Sequence, residues 1–183
     1  MTYGEGDDPL KRLKPKDALV PETTMVPDTT FVLKKEIIPA SGRIDYRHQR
    51  IKLNLPEGKW LAGVTIVPGN PKVVHHVTLA SSSKPQLVVD RPERKWIDNL
   101  IAVVASGASK STIFPKGSGI YIDKNIELII QTHYVITGKE EEDITKIHLY
   151  FHDKKPEKLY YSLGVFSDDF EIQPYDCLLY TSD

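Results

Sequence analysis

From Phe31 onward the chain is a succession of short runs rich in Val, Ile, Leu, Tyr and Thr, each closed by Pro or Gly within about a dozen residues. No run carries the 3.6-residue apolar repeat of an amphipathic helix, and β-branched and aromatic residues suit a pleated, half-buried surface. The pattern predicts an all-β domain, a jelly-roll-like antiparallel β-sandwich of about eight to ten strands. Strands are expected near Phe31 to Ile38, Ile44 to Leu55, Trp60 to Val67, Lys72 to Ala80, Gln86 to Asp90, Leu100 to Ala105, Ile126 to Ile136, Ile144 to Phe151, Lys158 to Val165 and Phe170 to Gln173. Turn chemistry separates them at Pro39-Ala40-Ser41-Gly42, Pro56-Glu57-Gly58, Pro68-Gly69-Asn70-Pro71, Pro115-Lys116-Gly117 and Thr137-Gly138-Lys139.

The ends of the chain read differently. Residues 1–30 are rich in Pro, Lys, Asp and Thr without either periodicity, which predicts an extended linker or arm preceding a domain over 31–175. Residues 176–183 contain Cys177-Leu178-Leu179-Tyr180-Thr181-Ser182-Asp183, which resembles translated sequencing-adapter read-through, so a non-native tail is expected there.

Charge and cysteine content narrow the chemistry. The 24 basic and 25 acidic side chains are interspersed, which argues against a polyanion partner such as nucleic acid. No stretch approaches the roughly 20 apolar residues of a membrane-crossing helix. With Cys177 as its single cysteine, the chain offers neither an internal disulfide nor a thiolate zinc cluster, so a metal would be held by histidine and carboxylate.

Six histidines supply the candidates. His48 lies among the polar residues Tyr46-Arg47-His48-Gln49-Arg50 and reads as a solvated strand residue. His148 and His152 alternate with Ile147, Leu149 and Phe151, which puts both on an outer face, about 13 Å apart and too distant to share one ion. His75 and His76 are different, because they stand in the apolar strand Lys72-Val73-Val74-His75-His76-Val77-Thr78-Leu79, where imidazoles are costly unless their nitrogens find partners. Adjacent strand residues face opposite sides, so the two reach one ion only at a bulge, at a strand end, or through different ring nitrogens. A third imidazole, His133 in Leu128-Ile129-Ile130-Gln131-Thr132-His133-Tyr134, has the separation expected of a neighbouring strand. Three neutral imidazoles with an open position suit redox-active copper or catalytic zinc. The bland alternative is three core histidines bonded to backbone carbonyls. A zinc hydrolase would further need a general base, and the spacing of Asp45, Glu127 and Asp143 singles none out.

These segments resemble the copper type II, ascorbate-dependent monooxygenases, the family of peptidylglycine hydroxylating monooxygenase and dopamine β-monooxygenase, and bacterial members above all. The resemblance is carried by Trp60 with the strand leading into Pro68-Gly69-Asn70-Pro71-Lys72-Val73-Val74-His75-His76, by Pro115-Lys116-Gly117, and by Leu128 to Tyr134 followed by Gly138-Lys139 and Asp143. It implies the family's N-terminal jelly-roll domain, with one copper held by His75, His76 and His133; Gln131 and Tyr134, close to His133 in sequence, are expected to support that histidine from behind. It implies ascorbate as electron donor, an electron-supplying role for this copper, and an extracytoplasmic or periplasmic setting. It also implies a following domain with a second, oxygen-activating copper held by a His-X-His pair and a methionine. After His152 no such ligands occur, and Met1 and Met25 lie near the N-terminus, so this stretch alone carries no catalytic residue and is expected to be inactive. The Gly6-Asp7-Asp8-Pro9 arm is similar to the linker that follows an upstream cytochrome c or thioredoxin-like module. The competing expectation is a non-catalytic copper- or carbohydrate-binding jelly roll, with Trp60, Trp96, Tyr160 and Tyr161 as a ligand platform.

Overall fold

A computed structural model describes residues 25–82, 100–105 and 110–162. Among them are twelve strands and no helix: β1 Thr29–Val32, β2 Glu36–Ile38, β3 Arg47–Lys52, β4 Lys59–Val67, β5 Val74–Ser81, β6 Leu100–Ala105, β7 Ser111–Ile113, β8 Ser118–Ile122, β9 Glu127–Tyr134, β10 Glu141–Asp143, β11 Lys146–His152 and β12 Lys158–Leu159. The all-β expectation holds. No helix of the described residues is long and apolar enough to cross a membrane.

Two sheets form the body. One runs β1-β11-β4-β8-β12, with β7 also paired to β4, and the other runs β3-β9-β5-β6. All pairings are antiparallel except the two-residue β8–β12 bridge. Alternation along each strand sends one apolar set inward, so that Leu61, Val64, Ile66, Ile147 and Leu149 of the first sheet join Val77, Leu79, Leu128 and Ile130 of the second in a single buried cluster. All nine of these side chains are almost completely withdrawn from water. Burial of a Leu, Ile or Val side chain stabilises by about 1.5–3 kcal/mol, so this interface contributes strongly to the stability of the domain.

Several boundaries differ from the sequence reading. The expected strand Phe31 to Ile38 divides into β1 and β2, which pair with different partners, β11 and β10. β1 begins at Thr29 and Asp28 already bonds both ways to β11, so the sandwich reaches into the segment assigned to the arm. β7, β8 and β10 are additions; at three to five residues each they are too short to show alternation. The expected strands Gln86 to Asp90 and Phe170 to Gln173 lie outside the described residues, as do most of the arm and the tail.

A small two-stranded sheet, β2 with β10, sits at the end of the sandwich where β5 begins and β9 ends. Its Asp143 is only 2% exposed although it carries a carboxylate. The Pro68–Pro71 turn passes so close to it that a Cβ on Gly69 would lie 2.6 Å from the Ile144 carbonyl oxygen and 2.8 Å from its nitrogen. Only glycine fits this approach.

Candidate metal centre

The site is made where β5 meets β9. Val74 pairs with Tyr134 and His76 with His133, so β5 advances two residues while β9 advances one, and His75 is the extra residue of a β-bulge. A bulge releases adjacent residues from strict alternation. Here it lets both members of the His75-His76 pair meet the His133 ring, one of the three routes by which neighbouring histidines can share an ion. Along β9, Leu128, Ile130, Thr132 and Tyr134 are buried while Ile129, Gln131 and His133 turn to the opposite, half-buried face. His133 therefore stands on the outer surface of the sheet, level with His76.

The three rings form a compact triangle. Centroid separations are 5.2 Å for His75 and His76, 5.1 Å for His75 and His133, and 5.2 Å for His76 and His133. The rings meet edge-on, at 66–74°, which aims ring nitrogens inward rather than stacking the faces. One nitrogen from each histidine lies within 4.8 Å of the others. The Nδ1 atoms of His75 and His76 are 3.0 Å apart, and one of them donates to the other. Nitrogens sharing an ion at about 2.0–2.1 Å would stand roughly 3 Å apart, so the cluster is close to what one ion requires. His75 is exposed and the other two are half-buried, which leaves one side open to solvent.

Two further features of the triangle bear on what it can bind. The Nδ1 of His133 is buried and has no hydrogen-bond partner, a deficit that ordinarily costs about 1–3 kcal/mol. The pKa of His76 is lowered, first by burial and then by the neighbouring His133 and His75, so the neutral form of this ring is favoured. Neutral imidazoles are the metal-binding form.

Tyr46 closes one side. It lies one residue before β3, where Arg47 pairs with Thr132, so continuing that ladder brings Tyr46 opposite His133. Its ring centroid is 4.6 Å from that of His133 and 6.0 Å from that of His76. Sequence reasoning missed Tyr46, because its place at the site follows from the β3–β9 register and from no motif.

The expected supporting residues are used elsewhere. Gln131 shares the outer face with His133 but donates its amide N–H to Nε2 of His48, its register partner on β3, at 2.9 Å. Tyr134 faces inward, the opposite side from His133, and donates its hydroxyl to Asp143 at 3.0 Å. Neither satisfies His133 Nδ1. His48 is exposed as anticipated. His148 is half-buried with its Nδ1 2.8 Å from the Thr30 hydroxyl, and His152, also half-buried, donates from Nε2 to the Ser118 carbonyl at 2.9 Å. Neither is free surface, and both lie on the other sheet.

Family models give no match to this chain, and neither do curated proteins.

No carboxylate belongs to the histidine group among the described residues. Asp45 is fully solvated beside Arg43, Glu127 pairs with Arg50 at 3.3 Å, and Asp143 is occupied by three hydrogen bonds. Among the described residues, none of these three carboxylates is grouped with the histidines as the general base that metal-assisted hydrolysis would need. Of the aromatic platform, Trp60 packs at 5.1 Å against Tyr121, Tyr160 stacks on Phe114 at 4.4 Å, Tyr161 is exposed, and Trp96 lies outside the described residues. Trp60 and Tyr160 thus pack against different aromatic partners.

Proposed function

We propose that His75, His76 and His133 bind a single copper ion, and that this domain stores and delivers one electron as the N-terminal copper domain of an ascorbate-dependent monooxygenase. The observation that carries the metal reading is the convergence of one ring nitrogen from each of the three histidines within 4.8 Å. A copper ion bound there would supply one-electron cycling between Cu(II) and Cu(I), to which a nitrogen-only donor set with an open position is suited.

The protein's own contribution is geometric. The bulge directs His75 and His76 to one point, the β5–β9 ladder fixes His133 beside them, and Tyr46 covers the His133 ring. The histidine group holds no carboxylate among the described residues, and an all-imidazole donor set favours copper over the harder divalent ions. Ascorbate as donor, a second copper in a following domain and an upstream redox module belong to the same proposal and rest on the sequence resemblance.

Titration of the purified protein with Cu(II), read by metal analysis and paramagnetic resonance, tests this. One equivalent is expected to bind with nitrogen hyperfine structure, and the signal is expected to vanish in a His75→Ala, His133→Ala double variant. An unchanged spectrum in that variant would sink the assignment.

A further inference from the structure

The carboxylate of Asp143 joins the two strands that carry the histidines, at the last register pair before the bulge. Its Oδ1 accepts the backbone N–H of Asn70 at 2.8 Å, and its Oδ2 accepts the hydroxyls of Tyr134 at 3.0 Å and Thr145 at 2.8 Å. Asn70 begins the turn into β5: its carbonyl accepts the N–H groups of Val73 and Val74, both at 3.2 Å, and its side chain donates to Glu141 and to the Glu142 carbonyl, both at 3.1 Å. Tyr134 is the register partner of Val74 and the neighbour of His133. Val135 N–H then donates to the Val73 carbonyl at 2.8 Å, closing the ring of contacts. One buried anion thus ties the residue before His75 to the residue after His133.

For stability alone such a group is a poor choice. A buried carboxylate loses several kcal/mol of hydration, and apolar replacements of buried charges are often neutral or stabilising. What a triply bonded carboxylate supplies that an apolar side chain does not is a fixed geometry between its donors. The close approach of Gly69 to the Ile144 backbone brings the same turn against the same segment by independent means.

We infer that Asp143 is a positioning residue for the metal centre, holding the β5 bulge in the register that brings His75 and His76 to His133. The inference rests on the copper reading for its consequence, and on the hydrogen-bond network for its mechanism. It requires that loosening the clamp disturb the site more than an equal loss of stability elsewhere does.

Asp143→Asn, Tyr134→Phe and Val64→Ala serve as the test set, Val64 being a fully buried residue of the other sheet. Cu(II) affinity is measured by chelator competition, coordination by paramagnetic resonance, and the metal-free clamp by amide hydrogen exchange at Val74 and Val135. Asp143→Asn is expected to weaken copper binding at least tenfold, alter the hyperfine pattern and accelerate both exchange rates. Tyr134→Phe should do the same to a smaller degree, and it carries the test if Asp143→Asn does not fold. Val64→Ala, at a matched loss of melting temperature, should leave the spectrum as in the wild type. Wild-type affinity and spectrum in both clamp variants, or an equal change in Val64→Ala, would overturn the inference. Failure of the unmodified protein to take up copper would instead overturn the copper reading, and the clamp would then be judged on exchange: unchanged rates at Val74 and Val135 would end it.

Discussion

His133 stands directly across the β5–β9 ladder from His76, while His75, one residue earlier, has no register partner on β9. The unpaired residue is what makes the site possible. A regular ladder would leave one of the two neighbouring rings on the core side, where Val74 and Val77 are buried. The arrangement costs the protein something, because His133 Nδ1 is buried without a hydrogen-bond partner. Replacing His133 with Leu, which removes that orphaned nitrogen on a half-buried face, is therefore expected to leave the metal-free melting temperature unchanged or to raise it by a few degrees. The same variant should lose the thermal stabilisation that copper is expected to give the wild type. Differential scanning calorimetry with and without one equivalent of Cu(II) reads both. A metal-free protein melting several degrees lower than wild type would mean that His133 is a packing residue and not a ligand held at a cost.

The lowered pKa of His76 sets a direction for pH dependence. Its folded-state pKa lies below the ordinary value of 6.5, because burial and the two neighbouring rings disfavour the imidazolium. Between those two pKa values the unfolded chain holds more protons than the folded one, so stability rises with pH through this window. The contribution is fully present above 6.5 and is lost as pH falls through the folded pKa. Copper binding follows the same direction, since protons compete for the ring nitrogens. Denaturant unfolding of the metal-free protein at a series of pH values from 5 to 8 should show the slope, and His76→Gln should flatten it. A slope of the opposite sign would contradict the described environment of His76.

The alternation of apolar residues made the β-sandwich and most of its strands legible in the sequence, and the strands bearing His75, His76 and His133 were among them. The idea that a bulge could unite the histidine pair also followed from strand geometry alone. Its existence did not, because it depends on how β5 registers against β9, and that is fixed by long-range contacts such as Asn70 with Asp143. The supporting roles assigned to Gln131 and Tyr134 came from adjacency in sequence, whereas in a strand the neighbour of a ligand faces away and the next residue but one is bound by whatever lies across the ladder. Tyr46 was overlooked for the complementary reason: it is far from every ligand in sequence and reaches His133 only through the β3–β9 pairing.

The remaining histidines give a specificity control. His48 is exposed and accepts from Gln131, and His148 lies on the other sheet against Thr30. Single His48→Ala and His148→Ala variants should each retain one equivalent of copper with affinity within about twofold of wild type, as expected for substitutions that share no contact with the three histidines. A stoichiometry below one in either would place a ligand outside the triangle.

Gly69 offers a test that touches no ligand. A methyl group there would lie 2.6–2.9 Å from three backbone atoms of Ile144, which cannot rotate aside as a flexible side chain could. The turn must then lift away from the β10 segment, lengthening the bond from Asn70 N–H to Asp143 that is now 2.8 Å. Overpacking of this kind costs about 1–3 kcal/mol. Gly69→Ala is accordingly expected to unfold at lower urea concentration with an unchanged m-value, and to bind copper more weakly than its stability loss alone explains, since the turn it displaces leads straight into His75. Gly42 is the comparison: a Cβ there meets nothing within 4 Å, though its positive φ of 100° means that Gly42→Ala also carries backbone strain. Gly42→Ala should therefore lower stability while leaving copper affinity at the wild-type value. Equal weakening of copper binding by both substitutions would show that affinity tracks global stability and not the seating of the turn on Ile144.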